Sequence, residues 1–467
     1  MKDKLLRVLF ALLCLSILVS GVACKEKDKG GEANVPEDDF VAVTDKGKDS
    51  ELYKRYTEYE ENSTLAFTGR EPTLAEAFEI ETNEGRAEII GYIGDDDIVI
   101  IPSKIGENEV KGIRSGAFKD SNVRAVFVPD SVESIGQGAF EGCDDLATLR
   151  LPFIGDGGEN SFLGYIFGAK SYDENAVKVP ALLDMLLLGD GVSSVKENAF
   201  RGCKTLSAVI LPEDLGEIGK LAFYECADLV YVGMGKVDLL GEYAFAHCTS
   251  LFDIDISGAG KVETGVLYSC TALNGITLNL HENDYFGRFF GAEAVEFTSD
   301  FVPLSLRRVT VAEGVEIIPD MAFSSCKYLT EVNLPSALRS VGVRAFYSCR
   351  SLAAIKLPEG VKSVGDDAFF YCDALATAEL PQSLESLGMQ AFYGCESIKK
   401  IDIPNSIKEI KSSTFYGCSS LESVTLGGTK KIGKDAFGKC DALNPVSCDE
   451  IEVADGNEAL TGSSKEE

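Results

Sequence analysis

The feature that most constrains this chain is a line of about 23 residues that recurs in register, L-x-x-I-x-L-P-x-x-V-x-x-I-G-x-x-A-F-x-x-C. One instance runs Leu352, Ile355, Leu357, Pro358, Val361, Val364, Gly365, Ala368, Phe369 and Cys372. The A-F…C ending recurs at Phe140/Cys143, Phe200/Cys203, Phe223/Cys226, Phe245/Cys248, Phe323/Cys326, Phe346/Cys349, Phe392/Cys395 and Phe437/Cys440, with Thr-Phe at Phe415/Cys418. Phe118 has Ser121 in the Cys place, and Leu267 replaces Phe before Cys270. A unit this short cannot bury its apolar face alone, whereas stacked copies can, so the period specifies a solenoid.

Each position has a physical task. The segment L-x-x-I-x-L suits a short strand with alternate residues inward, and stacked copies would form a long parallel sheet. Proline after it, as at Pro212, Pro335, Pro358, Pro381 and Pro404, cannot donate to the ladder and ends the strand. The following Gly is expected to permit a tight bend, and the Phe of A-F to fill the interior. Fourteen Cys in an exported chain invite a disulfide reading. The eleven that share the repeat position point the same way, however, and side chains in parallel are poorly placed to bridge. They read better as small buried hydrophobes. No CxxC and no nearby His supports zinc. Cys448 lies outside the register and is the thiol expected to be exposed and reactive.

These motifs resemble the BspA-like leucine-rich repeat family of bacterial surface proteins, over about residues 85–445. The stretch GYIGDDDIVIIPSKIGENEVKGIRSGAF resembles that family's opening unit. The resemblance implies a leucine-rich repeat solenoid, a strand-rich right-handed horseshoe or superhelix with a parallel sheet on its concave face and few helices. It also implies surface display and adhesion to host or microbial proteins. It implies no catalytic residues and no cofactor.

The array is expected over residues 96–447, behind a hairpin cap at 65–95 that turns at Asn83-Glu84-Gly85 and seals the first coil's edge. Two units are long, 146–182 and 273–305. They hold matching islands, SFLGYIFGAKSYDENAVKVP from Ser161 and YFGRFFGAEAVEFTSDFVP from Tyr285, whose matched residues, such as Gly164 and Gly287, are separated by the same offset as Phe200 and Phe323. The shared residues are apolar or Gly and read as packing, while the differing ones are expected on the surface. Residues 448–467 read as an acidic tail.

Ahead of the array, Lys2, Lys4 and Arg7 form a charged n-region and Leu5 to Val19 an apolar h-region, which together read as an export signal over residues 1–23. The signal ends GVAC, so Cys24 resembles the lipidated first residue of a bacterial lipoprotein, although Gly21 departs from the usual Leu. Residues 24–64 then read as a polar tether. The chain is expected to be exported and lipid-anchored at the bacterial cell surface or outer membrane.

A net charge of -31 and a pI near 4.5 argue against a nucleic-acid partner, which needs a basic face. Membrane contact is expected through the lipid anchor only. Two His, His247 and His281, are thin stock for acid–base chemistry or a metal centre. The triplet Asp95, Asp96 and Asp97 reads as a solvated turn in preference to a calcium site. No nucleophile has a partnered base in its sequence context, so no enzyme is expected.

What remains is a binding surface. Outward strand residues of a solenoid line a continuous face, and here they include Asp255, Thr310, Glu331, Asn333, Lys356, Glu379, Lys399 and Asp402. This varied polar strip suits protein ligands, and the partners expected are extracellular or cell-surface proteins. Adhesion to host proteins or other cells is the leading function. The alternative is a structural or scaffolding protein of the cell envelope with endogenous partners. A Tyr that follows A-F in several coils, at Tyr224, Tyr347, Tyr393 and Tyr416, reads as packing between coils.

Overall fold

The structure is a computed structural model that describes residues 70–461 apart from Asn283. The expected signal, Cys24, the tether and the last residues of the tail lie outside the described residues.

Residues 70–461 form a parallel-strand solenoid, and the repeat line builds each coil in three sides. The first side is the expected strand, as at Ala354–Lys356, with Ile355 inward and its neighbours outward. Copies pair in register, parallel, from Ile98–Ile100 through Tyr231–Gly233 in one six-stranded sheet, and continue to Leu460–Thr461. Proline then turns the chain into a second parallel ladder of mostly two-residue strands, such as Ser340–Val341, Ser363–Val364 and Ser386–Leu387. The third side is the A-F-x-x-C turn.

The turn side is held by two stacks. Successive Phe rings lie nearly parallel at 4.8 Å (Phe200–Phe223), 5.0 Å (Phe223–Phe245), 5.2 Å (Phe346–Phe369) and 5.1 Å (Phe369–Phe392). The spacing is that of neighbouring strands, about 4.8 Å, so ring contact and backbone ladder agree. The Phe N–H donates to a backbone carbonyl of the next coil, in most coils that of its Ala, as Phe369 does to Ala391 at 2.8 Å. Where the next coil carries the repeat Cys, the Phe carbonyl accepts its thiol: Cys395 to Phe369 at 3.1 Å, Cys248 to Phe223 at 3.2 Å, Cys143 to Phe118 at 3.0 Å. The position therefore needs a small, apolar side chain that carries one donor, and Cys is that residue.

Twelve cysteines of the array, Cys143 to Cys448, are free and buried. Cys448 is a correction to the sequence reading, being 0% exposed. The chain does not leave the solenoid at residue 447. It makes a further coil in which Glu452–Val453 pairs with Lys431–Ile432, and this coil covers Cys448. Asn457 closes that end: its Oδ1 accepts the Phe437 N–H at 2.9 Å and its Nδ2 donates to Ala454 at 2.7 Å. At the other end the hairpin Phe78–Asn83 and Arg86–Tyr92 turns through Glu84 (φ 48) and Gly85 (φ 78), and its second strand pairs with Asn108–Ile113. Tyr92 stacks on Phe118 at 5.1 Å and starts the ring column.

The repeat glycine has a different task from the bend expected of it. Gly342, Gly365 and Gly388 lack positive φ. A Cβ on Gly388 would lie 2.3 Å from the carbonyl carbon of Gly365, so these residues let consecutive coils touch backbone to backbone. The left-handed positions fall two residues later, at non-glycines such as Leu221, Met321, Arg344 and Gln390, and again just before each Cys.

The two long units keep the coil closed with short helical turns, Leu163–Phe167 and Phe286–Phe290. Leu163 and Phe286 donate to Ala199 and Ala322, as a repeat Phe would. Val177 and Phe297 of the differing stretches are exposed, but Asn175 and its counterpart Thr298 are buried. Asn175 is buried because its side-chain amide replaces missing coil backbone: it accepts from Gly164 N–H at 2.8 Å and donates to Ala199 and Arg201 carbonyls.

Four outcomes follow from these contacts. Phe369→Ala lowers stability by about 3–5 kcal/mol in urea titration. Gly388→Ala also destabilises, by about 1–3 kcal/mol, whereas Gln390→Gly, at φ 55, raises stability by up to about 1 kcal/mol. Burial pushes the thiols of Cys143, Cys270, Cys349 and Cys440 up to about 12. They stay protonated in the folded chain while unfolded thiols ionise above about pH 8.5. Stability is thus level below that pH and falls as pH rises toward about 12, by about 1.4 kcal/mol per unit for each such thiol. Urea midpoints measured from pH 7 to 11 check the slope, and a flat profile contradicts it.

Candidate binding face

The outward residues of the long ladder fall into two columns. One runs Phe127, Arg150, Leu187, Ile210 and Gly233 in register. It continues through Asp255, Thr277, Thr310 and Asn333, then Lys356 with Glu379 and Asp402 with Thr425. The neighbouring column carries Met185, Ala208 and Tyr231, followed by Asp253, Gly275, Arg308 and Glu331.

The C-terminal half of this face is open and polar, as the sequence implies. Asp255, Asn333, Lys356, Glu379, Lys399 and Asp402 are exposed, and Thr310 and Glu331 are half-buried. Many of these groups pair with each other along the ladder. Lys356 meets Glu379 at 3.2 Å, and Asn333 donates to Thr310 Oγ1 at 3.3 Å and Glu331 Oε1 at 3.0 Å. The Asp402 carboxylate accepts from Lys400 and from Thr425 Oγ1, at 2.9 and 2.8 Å, and these bonds hold its pKa below the usual carboxylate value. Asp255 accepts the N–H and hydroxyl of Ser257, which ties it to its own turn. Lys399 is off the row: it precedes the strand Lys400–Asp402, so Lys400 shares the face with Asp402.

The N-terminal half is a different surface, and sequence reading passes over it. Met185, Leu187, Ala208, Ile210 and Tyr231 form an apolar cluster separate from the core, each 8% exposed or less. The signal was present in Met185–Leu188, where every residue is apolar instead of every second one. Such a strand is buried on both faces. Two Arg–Asp pairs bracket the cluster. Arg150 meets Asp130 at 2.6 Å and lies over the Phe127 ring at 4.8 Å. Arg308 meets Asp253 at 2.9 Å, reaching across Gly275, where a Cβ would collide with both.

The aromatic row next to the Phe column is packing. Tyr347, Phe370, Tyr393 and Tyr416 stack at 5.0, 4.6 and 4.9 Å, and Lys439 closes the row over Tyr416. His247 lies edge-on between Tyr224 and Tyr268. Asp95, Asp96 and Asp97 are exposed, and among the described residues no group of three or more His, Cys, Asp or Glu is placed to hold a metal. Burial raises the pKa of thiols such as Cys143 and Cys203 and keeps them protonated near neutrality.

A family model described as "BspA type Leucine rich repeat region" matches the chain over residues 103–165, 181–288, 299–362 and 340–459, more than two thirds of its length. None of the curated proteins compared matches it. Among solved structures, a leucine-rich repeat protein from Bacteroides ovatus is 24% identical, over 72% of this chain and 95% of that one, with a TM-score of 0.34. A leucine rich cell surface protein from Faecalibacterium prausnitzii is 23% identical, over 85% and 99%, with a TM-score of 0.31. The pneumococcal vaccine antigen PcpA is 17% identical, over 83% and 95%, with a TM-score of 0.28.

Exposed pairs contribute little to folding. Single alanine substitutions at Asn333, Lys356, Glu379 and Asp402 each shift stability by less than about 1 kcal/mol in urea titration. Gly275→Ala, which breaks the Arg308–Asp253 pair, costs clearly more.

Proposed function

The chain belongs to the BspA-type leucine-rich repeat family, and from that premise we propose that it is a surface-displayed lipoprotein whose outward ladder binds extracellular proteins. The observation that carries the reading is the open polar run from Asp255 to Thr425, exposed side chains at one strand spacing along one face. Such a row offers many adaptable polar contacts to a protein partner, and its side chains are not needed for the core. The GVAC sequence at Cys24 supports anchoring, and the polar residues 25–64 support display away from the membrane. Adhesion to host proteins or neighbouring cells is the role that unites these features. Catalysis has no support in the site: its carboxylates are solvated or paired along the ladder, and its thiols are buried.

The test is saturable binding of the purified chain to extracellular matrix proteins and to whole cells. A combined Lys356→Ala, Glu379→Ala and Asp402→Ala variant weakens that binding by about tenfold or more without unfolding the array. Protease added to intact cells removes the protein. Absence of saturable binding, or a protein resistant to protease on intact cells, overturns adhesion. Cross-linking on intact cells that captures endogenous envelope proteins alone assigns the scaffolding role instead.

A further inference from the structure

Two neighbouring coils near the C-terminal end of the array carry a basic strip on the second ladder, and we propose that it binds a linear acidic polysaccharide. The chain has a net charge of -31, yet residues 399–440 hold eight Lys against four acidic residues, a local net charge of +4. Five of these lysines lie on and just after the second ladder, Lys408 and Lys411 from one coil and Lys430, Lys431 and Lys434 from the next. All are exposed except Lys411, which is half-buried. Lys408 and Lys430 hold the same position in consecutive coils, and the Lys430 N–H donates to the Lys408 carbonyl at 2.8 Å. The Lys408 ammonium lies over Gly428 of the next coil, where a Cβ would come within 2.7 Å of its Nζ.

The fold gives these charges no partners. In several earlier coils a cation meets a carboxylate of the next coil: Lys220 meets Glu242 and Lys362 meets Glu385, both at 2.5 Å, and Arg344 meets Asp367 at 3.0 Å. In the strip that pairing lapses. Lys411 and Lys431 reach Asp366 and Glu409 only at 3.8 Å. Lys408 donates to the Asn405 carbonyl of its own turn at 2.7 Å. Among the described residues, neither Lys408, Lys430 nor Lys434 pairs with a carboxylate. Like charges on adjacent strands destabilise a ladder. A repulsion that the array avoids elsewhere and keeps here marks a place where an outside anion completes the pairing.

The surroundings select the kind of anion. Glu385 takes the Lys408 position in the coil before, and the exposed Glu452 and Asp455 lie in the coil after, so the strip is two coils wide and runs along the strands. A thin linear chain fits between these carboxylates, whereas a membrane plane would press on them. No large apolar side chain from 399 to 440 is exposed, and the residues beside the lysines are small, Ser406, Ser412, Ser413, Gly427 and Gly428. A protein partner would be anchored on aromatic or Arg side chains; this floor suits a hydroxyl-rich chain. No Arg follows Arg350, and Lys ammoniums are point charges without a bidentate fork. They meet repeated charges in any register. The net charge of the rest of the chain does not prevent contact, because charges beyond about 8 Å are largely screened at 0.15 M salt. The strip is on a different ladder from the face proposed above to bind proteins, and it does not rest on that role.

Titration calorimetry of the full chain with heparin in 0.15 M NaCl tests the proposal, with neutral dextran as the uncharged control. Heparin binds saturably and dextran does not. Changing Lys408, Lys430, Lys431 and Lys434 together to Gln weakens heparin binding by about tenfold or more, as does raising NaCl to about 0.5 M. The circular dichroism of that variant is unchanged, since the four side chains are exposed. Changing the same four to Arg keeps the affinity. Changing the exposed Lys204, Lys220, Lys236 and Lys261 to Gln removes equal charge from other coils and leaves the affinity within about twofold. Absence of saturable heparin binding overturns the proposal. So does an equal loss in the two Gln variants, because net charge alone then governs. Phosphatidylglycerol vesicles, polyglutamate or duplex DNA bound as tightly as heparin also overturn it, since the partner is then not a polysaccharide.

Discussion

The Phe carbonyl of the A-F turn is the point on which the solenoid depends. It accepts the backbone N–H of its own coil's Cys, as Cys372 donates to Phe369 at 3.2 Å, and the thiol of the next coil's Cys, as Cys395 donates to the same oxygen at 3.1 Å. Both lone pairs of a buried carbonyl are thereby used, which an interior site requires. The same geometry sets the ring above Phe369 at 5.1 Å. Coil spacing, ring stacking and thiol position are therefore coupled, and where Leu267 replaces the ring the Cys270 thiol still reaches the Phe245 carbonyl at 3.2 Å, so the polar contacts hold the spacing by themselves.

Much of this is legible in the sequence because each core position repeats. Phe369, Cys372, Ile355 and Pro358 carry the same information in every coil, so strand, turn and interior follow from the pattern. The second ladder is not legible, because Ser363–Val364 turns only one side chain inward and two residues give no alternation to read. The role of Gly365 is hidden for a related reason: the close approach of Gly342 lies in another coil, and a glycine looks the same whether it frees φ or admits a neighbour. Cys448 is misread because the final coil lacks the A-F signature and is closed by Asn457 instead. The buried cluster of Met185 and Leu187 had a visible signal, a strand apolar on both faces, which the repeat template masks by scoring only the inward residues.

The irregular coils obey the same accounting of backbone groups. Where the long unit lacks a regular turn, Asn175 offers an acceptor to Gly164 and donors to Ala199 and Arg201. Where the array ends, Asn457 does the same for Phe437 and Ala454. A side-chain amide carries the donor and acceptor of a peptide group without committing the main chain. It can therefore stand in for a missing coil, and Asn at these two buried sites has a physical reason that its sequence context does not reveal.

A stack of this kind also explains how one ladder carries two unlike surfaces. Each coil contacts its neighbours alone, so an outward substitution is felt about one coil away and the inward columns stay as they are. The change from apolar to polar accordingly happens over two strands, between Tyr231 and Arg308. There the Arg308–Asp253 pair crosses Gly275 and ends the apolar cluster with a fixed, largely buried charge pair. On the other side the largely buried Arg150 pairs with the exposed Asp130. Charged pairs at both borders make it costly for an apolar partner to slide along the ladder, since sliding would bury them without their solvent. The face thus has a defined apolar seat, with a register of its own, beside an open row whose residues are free to vary with the ligand.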